Sequence, residues 1–329
     1  MSKYKIIKLT NLSSIHIGTG KENYDFSSSV LHSDTVSAAI ASIRARNGRS
    51  KDIHDFLSSF TVSSAFPFYK DTLYMPVPKG KLNVVVKGKQ EFQYRKLLKK
   101  IRYAELSIWQ KIITGHQVEI DESQINDEYL NGVSNAVEGD ITNKIPLERV
   151  FVPRDGISDA KPFFFEWTFF TKDAGLFIIV DASDELFKDI KTLMRDLGES
   201  GIGTDKNVGG GNFSIESGEI DLPTIADANA QMLLSLYAPV EEELDTLHLQ
   251  DSVYGLQLRG GFLAGSNNPA LCHLRKKSIY MFEEGSVFKS TNNLKGKVVD
   301  LTPRWNGTYM HKVFRSGLSF SIPIKYRCL

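Results

Sequence analysis

An α+β fold is what this 329-residue chain predicts. Three observations predict it: β-branched runs bounded by turn residues, two segments with apolar residues at helical spacing, and the order in which these alternate. With a polar middle stretch set aside, residues 1 to about 225 read strand, helix, strand, strand, helix, glycine-rich loop, strand. That is the β-α-β-β-α-β order of a ferredoxin-like (RRM-like) unit with an antiparallel sheet. Residues 1–60 then need residues 160–222 to complete a core.

The opening segment, "KYKIIKLTNLSSIHIGTG", is rich in β-branched residues and closes in Gly18 and Gly20, a strand followed by a bend. "LHSDTVSAAIASIRARNG" follows as a helix, with Ser33 or Asp34 as N-cap and Asn47-Gly48 as stop. A short helix is expected over roughly 52–60. Residues 61 to about 162 form a long insertion. Its prolines at 67, 76 and 78 suit an extended path and turns rather than central strands. Within it "EFQYRKLLKKIRYAELSIWQKIITG" is helical at least in part, and residues 120–159 are polar and irregular. "KPFFFEWTFFTKDAGLFIIVDA" reads as two strands with a hairpin connection at Thr171–Gly175. "DELFKDIKTLMRDLG" places Leu186, Phe187, Ile190, Leu193, Met194 and Leu197 on one helical face, and Gly198 stops the helix in the C′ position. "GNFSIESGEI" resumes as a strand. From about Asp227 strands dominate, in "QMLLSLYAPV", "VYGLQLRGGFLAG", "SIYMFEEGSVF", "KGKVVDLTP" and "SGLSFSIPI", with "VEEELDTL" the best helical signal. Two domains are expected, 1–225 and 226–329.

Charge and composition exclude several classes. Forty Lys and Arg against 39 Asp and Glu leave a net charge of +1, which excludes a protein that coats nucleic acid by overall charge. A local basic patch remains open: "RKLLKKIR" (95–102) is basic, whereas "EIDESQINDE" (119–128) is acidic. Cys272 and Cys328 lie far apart with no CxxC spacing, so no metal or other cofactor is expected, and a reduced cytoplasmic setting is. The N-terminus lacks the apolar core of a signal peptide. Glu166, Lys172 and Asp173 interrupt the most apolar stretch, so no membrane association is expected.

The most unusual segment is "LGESGIGTDKNVGGGNF" (197–213), with glycine at 198, 201, 203, 209, 210 and 211. A P-loop needs a hydroxyl residue after its lysine, and here Asn207 follows Lys206. A dinucleotide fingerprint opens a helix, whereas this loop leaves a helix C-terminus, whose dipole has the wrong sign for phosphate. What remains is close approach: Gly201, Gly203, Gly209, Gly210 and Gly211 would let backbone amides reach a sugar-phosphate chain, with Lys206 and Asn207 adding a charge and an amide. The alternatives are a flexible connection without a ligand and a loop that docks a protein partner. His16 and His32 could serve as general base and acid on a ribose hydroxyl if held together, or could simply pack and support the helix start. Lys99, Lys100 and Arg102, flanked by Tyr94 and Tyr103, could meet phosphates and bases. Arg259 in "LRGGF" and the stretch "HKVFRSG" (311–317) are weaker candidates.

Six segments carry a resemblance: "LSSIHIGTG" (12–20), "SSSVLHSDTVSAAI" (27–40), "SSAFPFYKDTLYMPVPKG" (63–80), "LLKKIRYAEL" (97–106), "GESGIGTDKNVGGGNF" (198–213) and "VFRSGLSFSIPI" (313–324). Together they span most of the chain and resemble the RAMP superfamily of CRISPR-associated proteins. The likeness is to the Csm-type subunit of type III-A effector complexes that holds the 5′ tag of the CRISPR RNA (crRNA). The resemblance implies two ferredoxin-like domains, the second degenerate and β-rich. It implies contacts with the large polymerase-like subunit and the first backbone RAMP subunit of the filament. The glycine loop and the region His16–Gly20, with Gly18 at its centre, would grip the tag, and Ser33 belongs to the "HSDT" element nearby. The resemblance implies no nuclease activity; a related endoribonuclease using His16 or His32 is the alternative. Where the family loop carries arginine or serine, this chain has "TDKNVGG", and Lys206 supplies a point charge rather than a bidentate fork.

Overall fold

The computed structural model describes residues 1–18, 24–28, 30–133, 140–154, 159–263, 271, 274–290, 292–303 and 311–326. The first part of the chain holds β1 (Ser2–Thr10), α1 (Ser33–Arg46), α2 (Ile53–Ser58), β2 (Thr61–Val62), β3 (Phe66–Tyr69) and β4 (Thr72–Pro76). Then come β5 (Val84–Val86), α3 (Glu91–Leu98), β6 (Tyr103–Glu105), α4 (Leu106–Ile113), β7 (Val118–Ile120), β8 (Ile125–Asn126) and β9 (Tyr129–Leu130). β10 (Thr142–Phe151), β11 (Lys161–Phe170), β12 (Ala174–Asp181), α5 (Asp184–Ser200) and β13 (Ser214–Leu222) follow. The remainder holds β14 (Ala230–Leu233), α6 (Glu241–Leu244), β15 (Leu256–Arg259), β16 (Ile279–Phe282), β17 (Val287–Phe288), β18 (Gly296–Asp300), β19 (Phe314–Leu318) and β20 (Ser321–Ile324).

β1 is the axis of the main sheet. β13 pairs with it from Ser2↔Leu222 to Thr10↔Ser214, and β12 from Lys5↔Val180 to Leu9↔Leu176, both antiparallel. β3 flanks β12, so the order is β13-β1-β12-β3, continuing through β4, β6, β9 and β8. Successive strand residues point to opposite faces, and both faces here are covered. On β12, Leu176, Ile178 and Val180 join one core while Phe177 and Ile179 join the other, which is why its sequence reads as an unbroken apolar run. One face is covered by α1 and α5. The expected stripe is present, with Ile190, Leu193, Met194 and Leu197 buried, and Ser183 Oγ caps the α5 N-terminus by accepting the Leu186 N–H. The other face is covered by the middle region and by β14, β17 and β20, whose Met232, Val287, Ile322 and Ile324 enter the same core as Ile6 and Phe66. The smaller sheets are β17-β14-β20, β15-β16, β18-β19, β5-β7 and β10-β11.

Four sequence expectations need correction. The turn at 171–175 does not make a hairpin: β11 pairs along its whole length with β10, from Thr142↔Phe170 to Phe151↔Lys161, while β12 pairs with β1, β2 and β3. The second strand of the antiparallel unit is therefore β3, inside the supposed insertion, and not β11. Pro67 sits in this interior strand opposite Leu176, tolerated because pairing with β4 begins only at Phe68. α5 runs past Gly198 to Ser200, and Gly201 at φ 78° ends it; Gly198 is needed because a Cβ would lie 2.2 Å from Phe213 O. The N-cap of α1 is His32, and no side chain caps it.

Candidate nucleic-acid interface

The glycine stretch is neither slack nor solvent-facing throughout. It folds back on residues 13–16 through backbone bonds: Ser13 N–H donates to Asn212 O (2.9 Å), Gly211 N–H to Ser14 O (3.0 Å) and Thr204 N–H to His16 O (3.0 Å). The Ser13 hydroxyl adds a bond to Gly209 O at 2.9 Å and accepts the Asn212 N–H at 2.8 Å. Gly201, Gly203, Gly209 and Gly211 all have positive φ. At Gly211 a Cβ would meet Ile202 O at 1.9 Å, at Gly203 it would meet His16 O at 2.6 Å, and at Gly210 it would meet the Trp167 ring at 2.7 Å. Close approach is thus the reason for these glycines, first of all to the protein's own backbone. Asp205, also left-handed, pairs with Arg149, whose guanidinium lies 4.3 Å from the Phe165 ring centroid and 5.4 Å from that of Trp167. The clamp leaves a short exposed turn, Lys206–Val208, at its tip. Desolvation and then the charge of Arg46 lower the pKa of Lys206, so a second cation stands near it. Exposed Gly18 lies against Thr204.

The other sequence candidates divide sharply. His16 is buried, its Nδ1 2.8 Å from Glu166 O and its ring 4.4 Å from Phe165, and its Nε2 has no hydrogen-bond partner among the described residues. His32 is also buried and lies 2.8 Å from Glu284. The two histidines are thus committed to different partners. Ser33 is interior: its hydroxyl accepts the Leu236 N–H at 2.9 Å, and its N–H donates to Ser64. Arg259 donates to both oxygens of Asp34, at 3.0 and 2.9 Å, and Arg315 adds a further bond to that carboxylate. Burial opposes the charge on Asp34, yet the two guanidiniums hold its pKa well below the usual carboxylate range. These two residues, like Ser33, are structural ties between the halves rather than surface groups. Lys99 and Lys100 are exposed just beyond α3, and Arg102 pairs with Glu128 at 3.2 Å. Sequence reasoning missed Arg149, Trp167, Arg315 and Glu284. Only the Arg315 stretch carried a signal, as part of "HKVFRSG". Cys272, Cys328 and Gly20 lie outside the described residues. Among those described, no three His, Cys, Asp or Glu are placed to hold a metal, and no helix is long and apolar enough to cross a membrane.

Comparison with known proteins bears on this arrangement. Residues 226–324 match the family described as the CRISPR Csm4 C-terminal domain. The protein "CRISPR system Cms protein Csm4" of Thermococcus onnurineus is 24% identical over 303 residues, covering 88% of this chain and 89% of its own length. Over residues 226–324, therefore, this chain carries a Csm4 C-terminal domain. The Csm4 protein of Mycobacterium tuberculosis is 31% identical over 151 residues, covering 45% of this chain and 48% of that protein. Among solved structures, a chain of the Csm3–Csm4 subcomplex of a type III-A interference complex superposes with a TM-score of 0.64 at 15% identity, covering 98% of this chain and 100% of that one. A chain of a Csm1–Csm4 cassette in complex with cA4 superposes at 0.63 with 18% identity, over 99% of both chains. At these identities the superpositions establish the Csm-type fold.

Proposed function

We propose that this chain is a non-catalytic RNA-binding subunit of a type III-A CRISPR effector complex, acting in the cytoplasm. It holds the 5′ tag of the crRNA and bridges the large polymerase-like subunit to the backbone filament. The observation that carries the reading is the glycine loop clamped onto residues 13–16, with Gly18, Lys206 and Asn207 exposed along it. Its backbone is fixed before any ligand arrives, so little ordering cost opposes binding of a flexible single strand. Lys206, with Arg46 nearby, supplies the charge. The names of the similar structures, which pair Csm4 with Csm1 and with Csm3, support the bridging role.

In this reading the chain comprises two ferredoxin-like domains, 1–225 and 226–329. The order β13-β1-β12-β3, with α1 and α5 on one face, supports the first. The small sheet β17-β14-β20 supports a degenerate second domain. Burial of both histidines with separate partners supports a non-catalytic role. The test is the complex reconstituted with tag RNA. Crosslinks at Lys206 and its neighbours are expected, with no metal-independent cleavage of repeat RNA. Cleavage abolished by His16→Ala or His32→Ala would overturn the reading.

A further inference from the structure

A cavity of about 470 Å³ opens between the two halves, within the size range of sites for small ligands. The segment clamped by the glycine loop also reaches it. Ser28 N–H donates to Ile17 O at 2.9 Å, one residue before Gly18, and Ser28 itself lines the cavity. Phe66 and Tyr103 contribute aromatic wall, and Lys99 and Arg102 come from the end of the basic run. Lys99 has no ion-pair partner among the described residues, which leaves its charge for an anion.

Gln257 and Glu284 line the cavity from the second half. Glu284 is a largely buried carboxylate whose Oε1 meets His32 Nδ1 at 2.8 Å and the Ser64 hydroxyl. Burial opposes its ionisation, but the His32 charge and these hydrogen bonds lower its pKa. An ionised carboxylate only accepts hydrogen bonds, so a group lying against it must donate. Aromatic wall, a cationic end and a fixed acceptor together match one nucleotide: a base that stacks, a phosphate, and an amino group. We propose that this cavity holds a single extruded amino-bearing nucleobase of the bound RNA, with Glu284 and Gln257 reading its edge and Lys99 and Arg102 at its phosphate. The inference rests on the RNA-binding reading above and adds a subsite to it.

The test uses the assembled complex and tag RNAs that each carry one abasic position. One abasic position is expected to weaken binding about tenfold, the worth of one stacked base. Val77→Trp fills the cavity from a half-buried wall position, removing no side-chain hydrogen bond. It is expected to cause the same loss on unmodified RNA and to abolish the abasic penalty. Replacing the amino group of the sensitive base by hydrogen should reproduce part of the loss in the natural chain and none in Glu284→Gln. Lys99→Ala, at an exposed position, tests the phosphate contact without threatening the fold. If RNA binds but the abasic profile is flat, the cavity assignment falls and the tag-binding reading stands. If free nucleoside monophosphate binds, Val77→Trp blocks it and the profile is flat, the cavity serves a free nucleotide and the inference is overturned. If unmodified RNA does not bind at all, both fall.

Discussion

Two cationic surfaces of this molecule are built in opposite ways. The tip of the glycine loop offers Lys206 on a backbone clamped to residues 13–16, with glycines packed against carbonyl oxygens and an indole. The end of α3 offers Lys99 and Lys100 just past a short helix in which only Tyr94 is buried. In the first, position is set by main chain and charge is sparse. In the second, charge is plentiful and held on flexible side chains. Substitutions should therefore separate cleanly, with glycine changes costing fold and lysine changes costing binding.

The largest effect should come from Gly211→Ala, which combines φ 71° with a Cβ 1.9 Å from Ile202 O. A loss of about 3 kcal/mol or more is expected in denaturant unfolding. Gly209→Ala has positive φ but its Cβ would meet only Asn212 Oδ1, at an ordinary 3.9 Å, and it should cost only about 1 kcal/mol. Equal losses at the two positions would break the idea of a packed clamp. Lys206→Glu should leave stability within about 0.5 kcal/mol and weaken tag RNA about tenfold at moderate salt. Smaller still, Lys100→Ala should lower the slope of log affinity against log salt by about 1. A larger effect there than at Lys206 would reverse the ranking of the two surfaces.

A lysine on neither surface sharpens the contrast. Lys276 lies near Asp34, Arg259 and Arg315, where burial, and next the Arg315 charge, push its pKa down to about 8. The unfolded chain then binds more protons between pH 8 and the ordinary lysine value of about 10.5, so stability should rise with pH across that window. Lys276→Met should flatten that rise and raise the melting temperature at pH 7. For Asp34 the sign is opposite in origin. Its folded pKa is depressed, so its contribution is present above about pH 4 and is lost on further acidification.

Local elements were legible where pattern and caps agree. The stripe of α5 could be read from spacing alone, as could the strand character of β1 and β13. Which strands pair was not legible. β11 and β12 are both apolar runs separated by a turn, and periodicity cannot distinguish a hairpin from two strands that part company. Pro67 disguised β3 because it is tolerated only by having no β4 partner opposite it, which depends on where β4 begins. The glycine loop was recognised as special for close approach, but its own carbonyl partners at Ile202 and His16 belong to tertiary structure. The ties from Asp34 to Arg259 and Arg315 span 225 and 281 residues, so no local signal marks them. That is why Arg259 looked like a surface candidate.

The position of β1 also bears on how the protein is made. Both of its edges are filled by strands from residues 174–222, and part of its core by residues beyond 230. A ribosome adding about 5–20 residues per second needs on the order of ten to forty seconds between the first strand and its partners. Through that interval the nascent chain carries an unpaired apolar strand, so chaperones that shield such segments, or a slowed temperature of expression, should raise the yield of soluble protein. A fragment ending before residue 214 would never lose that edge.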